Sequence, residues 1–155
     1  MKSIWFSKVK EEYGWMGNMA PYRIQYEGKI WLTSEALFQS LRYDDESIKE
    51  IIRLEKSPMG AKMKAKKFKA LMVVVPMSEQ DVENMRLCVR LKFEQNPKLK
   101  IALIATGNSP IYEDIGNRNG ERHKFWGAKK IDDNEADGIN MMGQILKDLR
   151  DEFMK

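Results

Sequence analysis

The chain has 155 residues, enough for one domain with a sizeable core, and 43% hydrophobic against 32% charged residues marks a folded chain rather than a disordered one. With 27 basic and 23 acidic side chains the net charge is +4, a balance that suits an anionic ligand without requiring nucleic acid. The longest apolar run, Ala70 to Pro76, is too short to span a bilayer, and the first residues lack the order of a signal peptide, so a cytoplasmic protein with no membrane partner is expected.

The first third reads as extended and turn-rich. Ile4 to Ser7 is a short apolar run, and Tyr22, Ile24 and Tyr26 alternate onto one face. Glu27-Gly28 is a turn signal before Ile30 to Leu32, which together predict a small N-terminal antiparallel β element. Helices follow. Thr33 suits the N-cap of a helix from Ser34 to about Tyr43. Ser47 to Lys56 has near-helical spacing of Ile48, Ile51, Ile52 and Leu54. Ser57-Pro58 reads as N-cap and first residue of the next helix. Ser78 to Gln95 is the clearest helix, with Val82, Met85, Val89 and Phe93 in one stripe. Asn96-Pro97 ends it, and Pro97 begins a helix through Ala105. Between Thr106 and Asp137 periodicity is lost, as in a functional or mobile loop. Gly138 to Phe153 restores it through Ile139, Met142, Ile145, Leu149 and Phe153. No repeat, linker or boundary interrupts the chain, so a predominantly helical single α+β domain over residues 1–155 is expected.

Read as residues alone, most polar positions have plain structural explanations. Glu35 is an acid in the first turn of a helix, where it complements the helix dipole. Lys92, beside Phe93 and three residues past Val89, is a helix-edge lysine near the apolar stripe. Lys62 belongs to a lysine-rich stretch with Lys56, Lys64, Lys66, Lys67 and Lys69, which reads as a solvated face or as a phosphate or nucleic-acid contact. Cys88 reads as a buried structural thiol, and its being the only cysteine excludes an intrachain disulfide. His123, between Arg122 and Lys124, reads as exposed and non-catalytic. One Cys and one His make no four-ligand zinc set, so neither metal nor cofactor is expected.

Several segments, in order, resemble one family. Trp31-Leu32-Thr33-Ser34-Glu35-Ala36-Leu37-Phe38-Gln39 resembles the W-P-T-S-E-x-x-F-Q signature of the NADAR superfamily, the YbiA-like proteins. Tyr13-Gly14 with Asn18, Ser57-Pro58 with Ala61-Lys62, and Lys92-Phe93-Glu94-Gln95-Asn96 are similar to further elements of that family. So are Thr106-Gly107 with Glu113, Trp126-Gly127, and Gly138-Ile139-Asn140 with Gly143 and Arg150. The chain departs from the pattern at Gly17, Met19 and Leu32, at Ala65-Lys66, and near Met77, where the family commonly has Trp.

The resemblance implies a mainly helical α+β domain that acts at an N-glycosidic bond. The substrate would be a phosphorylated riboflavin-pathway intermediate or ADP-ribosylated guanine, with ADP-ribosylated DNA as one form of the latter. Cleaving such a bond builds positive charge on the ribose carbon, which a carboxylate stabilises. Glu35 is the candidate for that role, and Gln39, one turn on, shares its face and can orient it. Lys92 is the candidate for a Schiff-base route, in which an amine attacks the sugar aldehyde carbon. Asn18, Lys62, Glu113, Trp126, Gly127, Gly138 and Asn140 are the candidate substrate-binding residues. Gly138-Ile139-Asn140 would offer helix-start N–H groups to a phosphate, and Trp126 a ring to stack on a base or an anchor for its loop. The other reading is a module that binds ADP-ribose or NAD without cleaving it.

Overall fold

The computed structural model describes residues 2–155. The backbone forms two compact units, residues 18–96 and residues 2–17 with 97–155.

The unit of residues 18–96 opens with strands β2 (Ile24–Tyr26) and β3 (Lys29–Trp31), numbered after β1 of the other unit. They pair antiparallel with Ile24 opposite Trp31 and Tyr26 opposite Lys29. Glu27 and Gly28 have φ of 48° and 78°. Two successive left-handed residues make the turn whose twist matches a tight hairpin. Four helices follow: α1 (Ser34–Ser40), α2 (Glu46–Arg53), α3 (Pro58–Lys67) and α4 (Glu79–Gln95). Each starts where a side-chain oxygen meets an orphan N–H. Thr33 caps α1 at Ala36 N, Asp45 caps α2, Ser57 caps α3 ahead of Pro58, and Ser78 caps α4 at Asp81 N. The α4 face made of Asp81, Met85, Cys88, Val89, Lys92 and Phe93 is buried, and α1 packs on α2, α3 and α4. The end of α4 is tied to the hairpin, since Gln25 N donates to Gln95 Oε1 at 2.6 Å and Gln95 Nε2 returns a bond to Gln25 O at 2.8 Å.

The other unit contains β1 (Ile4–Phe6), α5 (Pro97–Ala105), β4 (Ile111–Glu113), α6 (Glu121–Trp126), β5 (Lys129–Asp132), β6 (Glu135–Asp137) and α7 (Met141–Phe153). Here the expected N-terminal β element needs correction. Of the N-terminal strands, β2 and β3 form the antiparallel hairpin, whereas β1 pairs parallel with β4, Ile4 opposite Ile111 and Phe6 opposite Glu113. A parallel partner must come from far along the chain, so a local pattern cannot reveal it. The stretch read as a functional or mobile loop, Thr106 to Asp137, carries β4, α6 and the β5–β6 hairpin. Helix α7 buries Met142, Ile145, Leu146, Leu149 and Arg150. The Arg150 guanidinium donates to Thr106 Oγ1 at 3.0 Å and to Ser109 O at 2.8 Å, closing the turn after α5. Among the described residues no helix is long and apolar enough to cross a membrane.

Helix α7 approaches β4 closely at Gly143, where a Cβ would stand 2.2 Å from both Ile111 O and Asn140 Nδ2. The carbonyl is strand backbone and has no rotamer through which to yield. Gly143→Ala is therefore expected to lower unfolding stability by about 1–3 kcal/mol. Urea denaturation checks this, and an unchanged midpoint would contradict the packing.

Candidate active site

Helix α1 is enclosed on every side: each of Ser34 to Ser40 is buried. A polar side chain on such a helix must find a protein partner. Glu35, 7% exposed, meets this through both oxygens. Asn18 Nδ2 donates to Oε2 at 2.7 Å, and Gln39 Nε2 donates to Oε1 at 2.9 Å. Two N–H donors suit an ionised carboxylate, which only accepts. Asn18 is held in turn, because the Ser34 hydroxyl donates to its Oδ1 and the Glu35 N–H donates to its main-chain carbonyl at 3.2 Å.

The network continues past Gln39 to two residues that sequence reasoning missed. Arg42 Nη1 donates to Gln39 Oε1 at 3.5 Å. Its Nε and Nη2 grip the Asp81 carboxylate at 2.9 and 2.8 Å. Asp81 is fully buried and also accepts from Met77 N at 2.9 Å. Met77 adopts a left-handed φ of 66°, unusual for a side chain of its size. A signal for Arg42 existed: it stands three residues past Gln39 and seven past Glu35, on the same helical face. Asp81 is masked in sequence as an ordinary first-turn acid.

Lys92 is 1% exposed on the buried face of α4. Its Nζ lies 5.5 Å from the ring centroids of Tyr22 and of Phe93. Loss of hydration disfavours the ammonium, and burial pushes its pKa down from 10.5 to about 7. One turn earlier on α4, the fully buried Cys88 thiol is pushed well up, first by burial and then by the charges of Glu35 and Asp81. Asn96 Nδ2 donates to Lys92 O at 2.8 Å and Arg23 O at 3.4 Å, so the end of the Lys-Phe-Glu-Gln-Asn segment fixes backbone around the lysine.

Asn18, Glu35, Gln39 and Lys92 thus all belong to the unit of residues 18–96, Glu35 and Gln39 on α1 and Lys92 on α4, which pack together, while Lys62, half-buried, sits on α3 of the same unit. Glu113, Trp126, Gly127, Gly138 and Asn140 belong to the other unit. There, Asn140, a candidate substrate-binding residue, has its side chain bonded to main chain. It is left-handed, with φ 56°, its Oδ1 accepts from Glu113 N at 3.0 Å, and its Nδ2 donates to Ile111 O at 2.9 Å. Both ends of the amide are engaged by the β4 backbone. Two main-chain N–H groups just ahead of α7 have protein partners: Ile139 N donates to Lys124 O at 2.7 Å and Asn140 N to Gly127 O at 3.1 Å. Gly127 and Gly138 allow this close approach, since a Cβ on Gly138 would stand 2.5 Å from Gly127 O and one on Gly127 would stand 2.6 Å from Glu113 O. Trp126 is half-buried at the end of α6, edge-on to Phe125 at 4.9 Å, and His123 is half-buried on the same helix rather than exposed. Among the described residues no three His, Cys, Asp or Glu side chains converge as metal ligands.

The fold and this cluster define a class: an α+β protein built around a buried, amide-held carboxylate on a short helix and a buried lysine on the helix packed against it. The NADAR domain family matches residues 5–154, and the chain belongs to that family. It is 33% identical over 149 residues to the N-glycosidase YbiA of Escherichia coli, covering 96% of this chain and 86% of that one. It is 30% identical over 157 residues to a riboflavin biosynthesis protein of Vibrio vulnificus, covering 98% of this chain and 39% of that longer one. The NMR structure of the E. coli protein YbiA is similar with a TM-score of 0.78 at 29% identity, over 99% of this chain and 87% of that one.

Burial of Lys92 has a thermodynamic signature. Its folded value, about 7, lies below the ordinary 10.5, so between these the unfolded chain holds more protons and stability rises with pH. Below about pH 7 the full cost of burying the ammonium is present. Lys92→Met, which keeps the length of the side chain, is expected to be the more stable protein at pH 6, by about 2–4 kcal/mol. The advantage shrinks as pH climbs toward 10.5. Urea titrations at pH 6, 8 and 10 measure it, and a difference that does not change with pH would contradict a desolvated lysine.

Proposed function

We propose that the protein is an N-glycosidase that hydrolyses the bond between a ribosyl carbon and a nitrogen base. The observation that carries this reading is the pairing, on packed helices, of a carboxylate held by two amides with a lysine that burial keeps close to neutrality. The names of the relatives, N-glycosidase and riboflavin biosynthesis protein, support a ribosylated substrate. A phosphorylated riboflavin-pathway intermediate is the first candidate, and ADP-ribosylated guanine the second. The six lysines from Lys56 to Lys69 favour an anionic substrate in either case.

The chemistry follows from the groups. As the glycosidic bond lengthens, its electron pair leaves with the base nitrogen and positive charge grows on the ribose carbon. The Glu35 carboxylate stabilises that charge in a site of low polarity, where it acts more strongly than in water. The neutral Lys92 amine attacks the same carbon, the base departs with a proton, and the sugar ring opens to an imine. Water then adds to the imine carbon, releasing the sugar aldehyde and restoring the amine. The net reaction consumes one water and needs no metal. Burial of Lys92 supports this route over direct attack by a Glu35-activated water, because a lysine fully charged at neutral pH is no nucleophile.

The test is release of base and sugar, followed by mass spectrometry, from both substrate types. Wild-type protein is expected to turn over at least one of them. Glu35→Gln, which keeps shape and removes charge, is expected to lose about 100-fold or more in kcat. Borohydride added during turnover is expected to trap a sugar adduct on the peptide containing Lys92, and Lys92→Met to abolish it. The rate should rise with pH toward about 7 and then level as the amine loses its proton. Salt-sensitive activity confined to DNA would select the ADP-ribosylated form. No release from any substrate, with ADP-ribose still bound, would leave a recognition module instead.

A further inference from the structure

A side-chain amide has two ends of similar shape and opposite hydrogen-bonding character, so its direction is set by its neighbours. For Gln39 the neighbours differ at each end. Toward Glu35 stands a carboxylate that only accepts; toward Arg42 stands a guanidinium that only donates. The arrangement is self-consistent in one direction only, with Nε2 on Glu35 Oε1 and Oε1 on Arg42. Turned over, Gln39 would set its carbonyl against the carboxylate and its NH2 against the cation.

Arg42 is itself held. Asp81 grips it through two parallel bonds, the ring of Phe38 lies 4.7 Å below its Cζ, and its main-chain carbonyl accepts from Val73 N at 2.8 Å. Two-pronged pairing to a carboxylate fixes the plane of a guanidinium as well as its position. Asp81 is fixed from its other side by Met77 N, on a residue in the left-handed conformation. The Arg42–Gln39 link is the longest of the series at 3.5 Å, yet a cation beside one end of an amide still decides which end faces it. On the opposite flank the Ser34 hydroxyl donates to Asn18 Oδ1 while Asn18 Nδ2 donates to Glu35.

From this geometry we infer that the Asp81–Arg42 pair is a positioning device for catalysis: it sets the direction of the Gln39 amide and thereby holds the Glu35 carboxylate in its reactive orientation. The inference rests on the glycosidase reading for its kinetic consequence, and on hydrogen-bond polarity alone for its structural one. Neither Arg42 nor Asp81 touches the reacting atoms; both act through Gln39.

The experiment has a kinetic arm and a structural arm. Arg42→Met is expected to lower kcat about 10-fold or more with KM within about twofold, since substrate contacts are left in place. In a Gln39→Ala background the same change is expected to cost no further rate, because the residue through which it acts is gone. Arg42→Lys, another pure donor, is expected to recover part of the loss. Arg42→Met with Asp81→Asn removes both charges together, and keeps the test open should the single variant strand a buried carboxylate and unfold. In the structural arm, the side-chain NH2 of Gln39, assigned by its absence in Gln39→Ala, is followed by hydrogen exchange in nitrogen-15-labelled protein. It is expected to be protected in the wild type and to exchange about 10-fold faster or more in Arg42→Met. Equal kinetic loss in both backgrounds, or unchanged exchange, would overturn the positioning role. A wild type that releases no base while the Gln39 amide still responds to Arg42 would sink the glycosidase reading and leave the amide-setting role standing.

Discussion

A charge carried on a helix that is buried on every face has to be answered within the protein, and the unit of residues 18–96 is arranged around that demand. Helix α1 has no solvent side, so Glu35 cannot turn to water. Its partners arrive from two directions: Gln39 from the next turn of the same helix and Asn18 from the chain just ahead of the β2–β3 hairpin. The far oxygen of each amide accepts from a further group, Ser34 for Asn18 and Arg42 for Gln39. Arg42 then requires a counter-charge, which Asp81 supplies. One carboxylate thus accounts for a run of polar side chains crossing from α1 to α4. Such a network is stable only when each member is satisfied, which ties stability and site geometry to the same residues.

Lys92 poses the converse problem. Burial weakens its charge, and two aromatic rings flank the amine. Placing that amine on α4 costs folding stability, and the protein offsets the cost with strong structural ties at the same helix end. Phe93 is fully buried, Gln95 exchanges two hydrogen bonds with Gln25, and Asn96 caps the Lys92 carbonyl. A buried, pKa-shifted group held on a well-tied helix marks a candidate functional position.

In the other unit the family signature works mostly through main chain. Asn140 spans Ile111 and Glu113, the Gly127 carbonyl receives Asn140 N, Gly138 and Gly143 leave room for close approach, and Arg150 closes the turn at Thr106 and Ser109. These residues hold β4 against α7. A signature position can therefore reflect a backbone contact as readily as a ligand contact, and Asn140 is the case where sequence reasoning leaned to the ligand.

The sequence by itself determined the local elements. Thr33, Ser57 and Ser78 announce their helices because a capping oxygen needs only the next three residues. Glu27-Gly28 announces its hairpin because a tight turn needs only two left-handed residues. Glu35, Gln39 and Lys92 stood out as candidate site residues through the resemblance of their segments, and the α1 pair also through its one-turn spacing. Tertiary structure alone decided the rest. The parallel β1–β4 pairing, the Arg42–Asp81 bond between α1's end and α4, and the Asn140 clamp on β4 join residues far apart in the chain. The depressed Lys92 amine belongs with them, because a pKa is set by what surrounds a group once the chain has folded, and no spacing along the sequence encodes how completely water is removed.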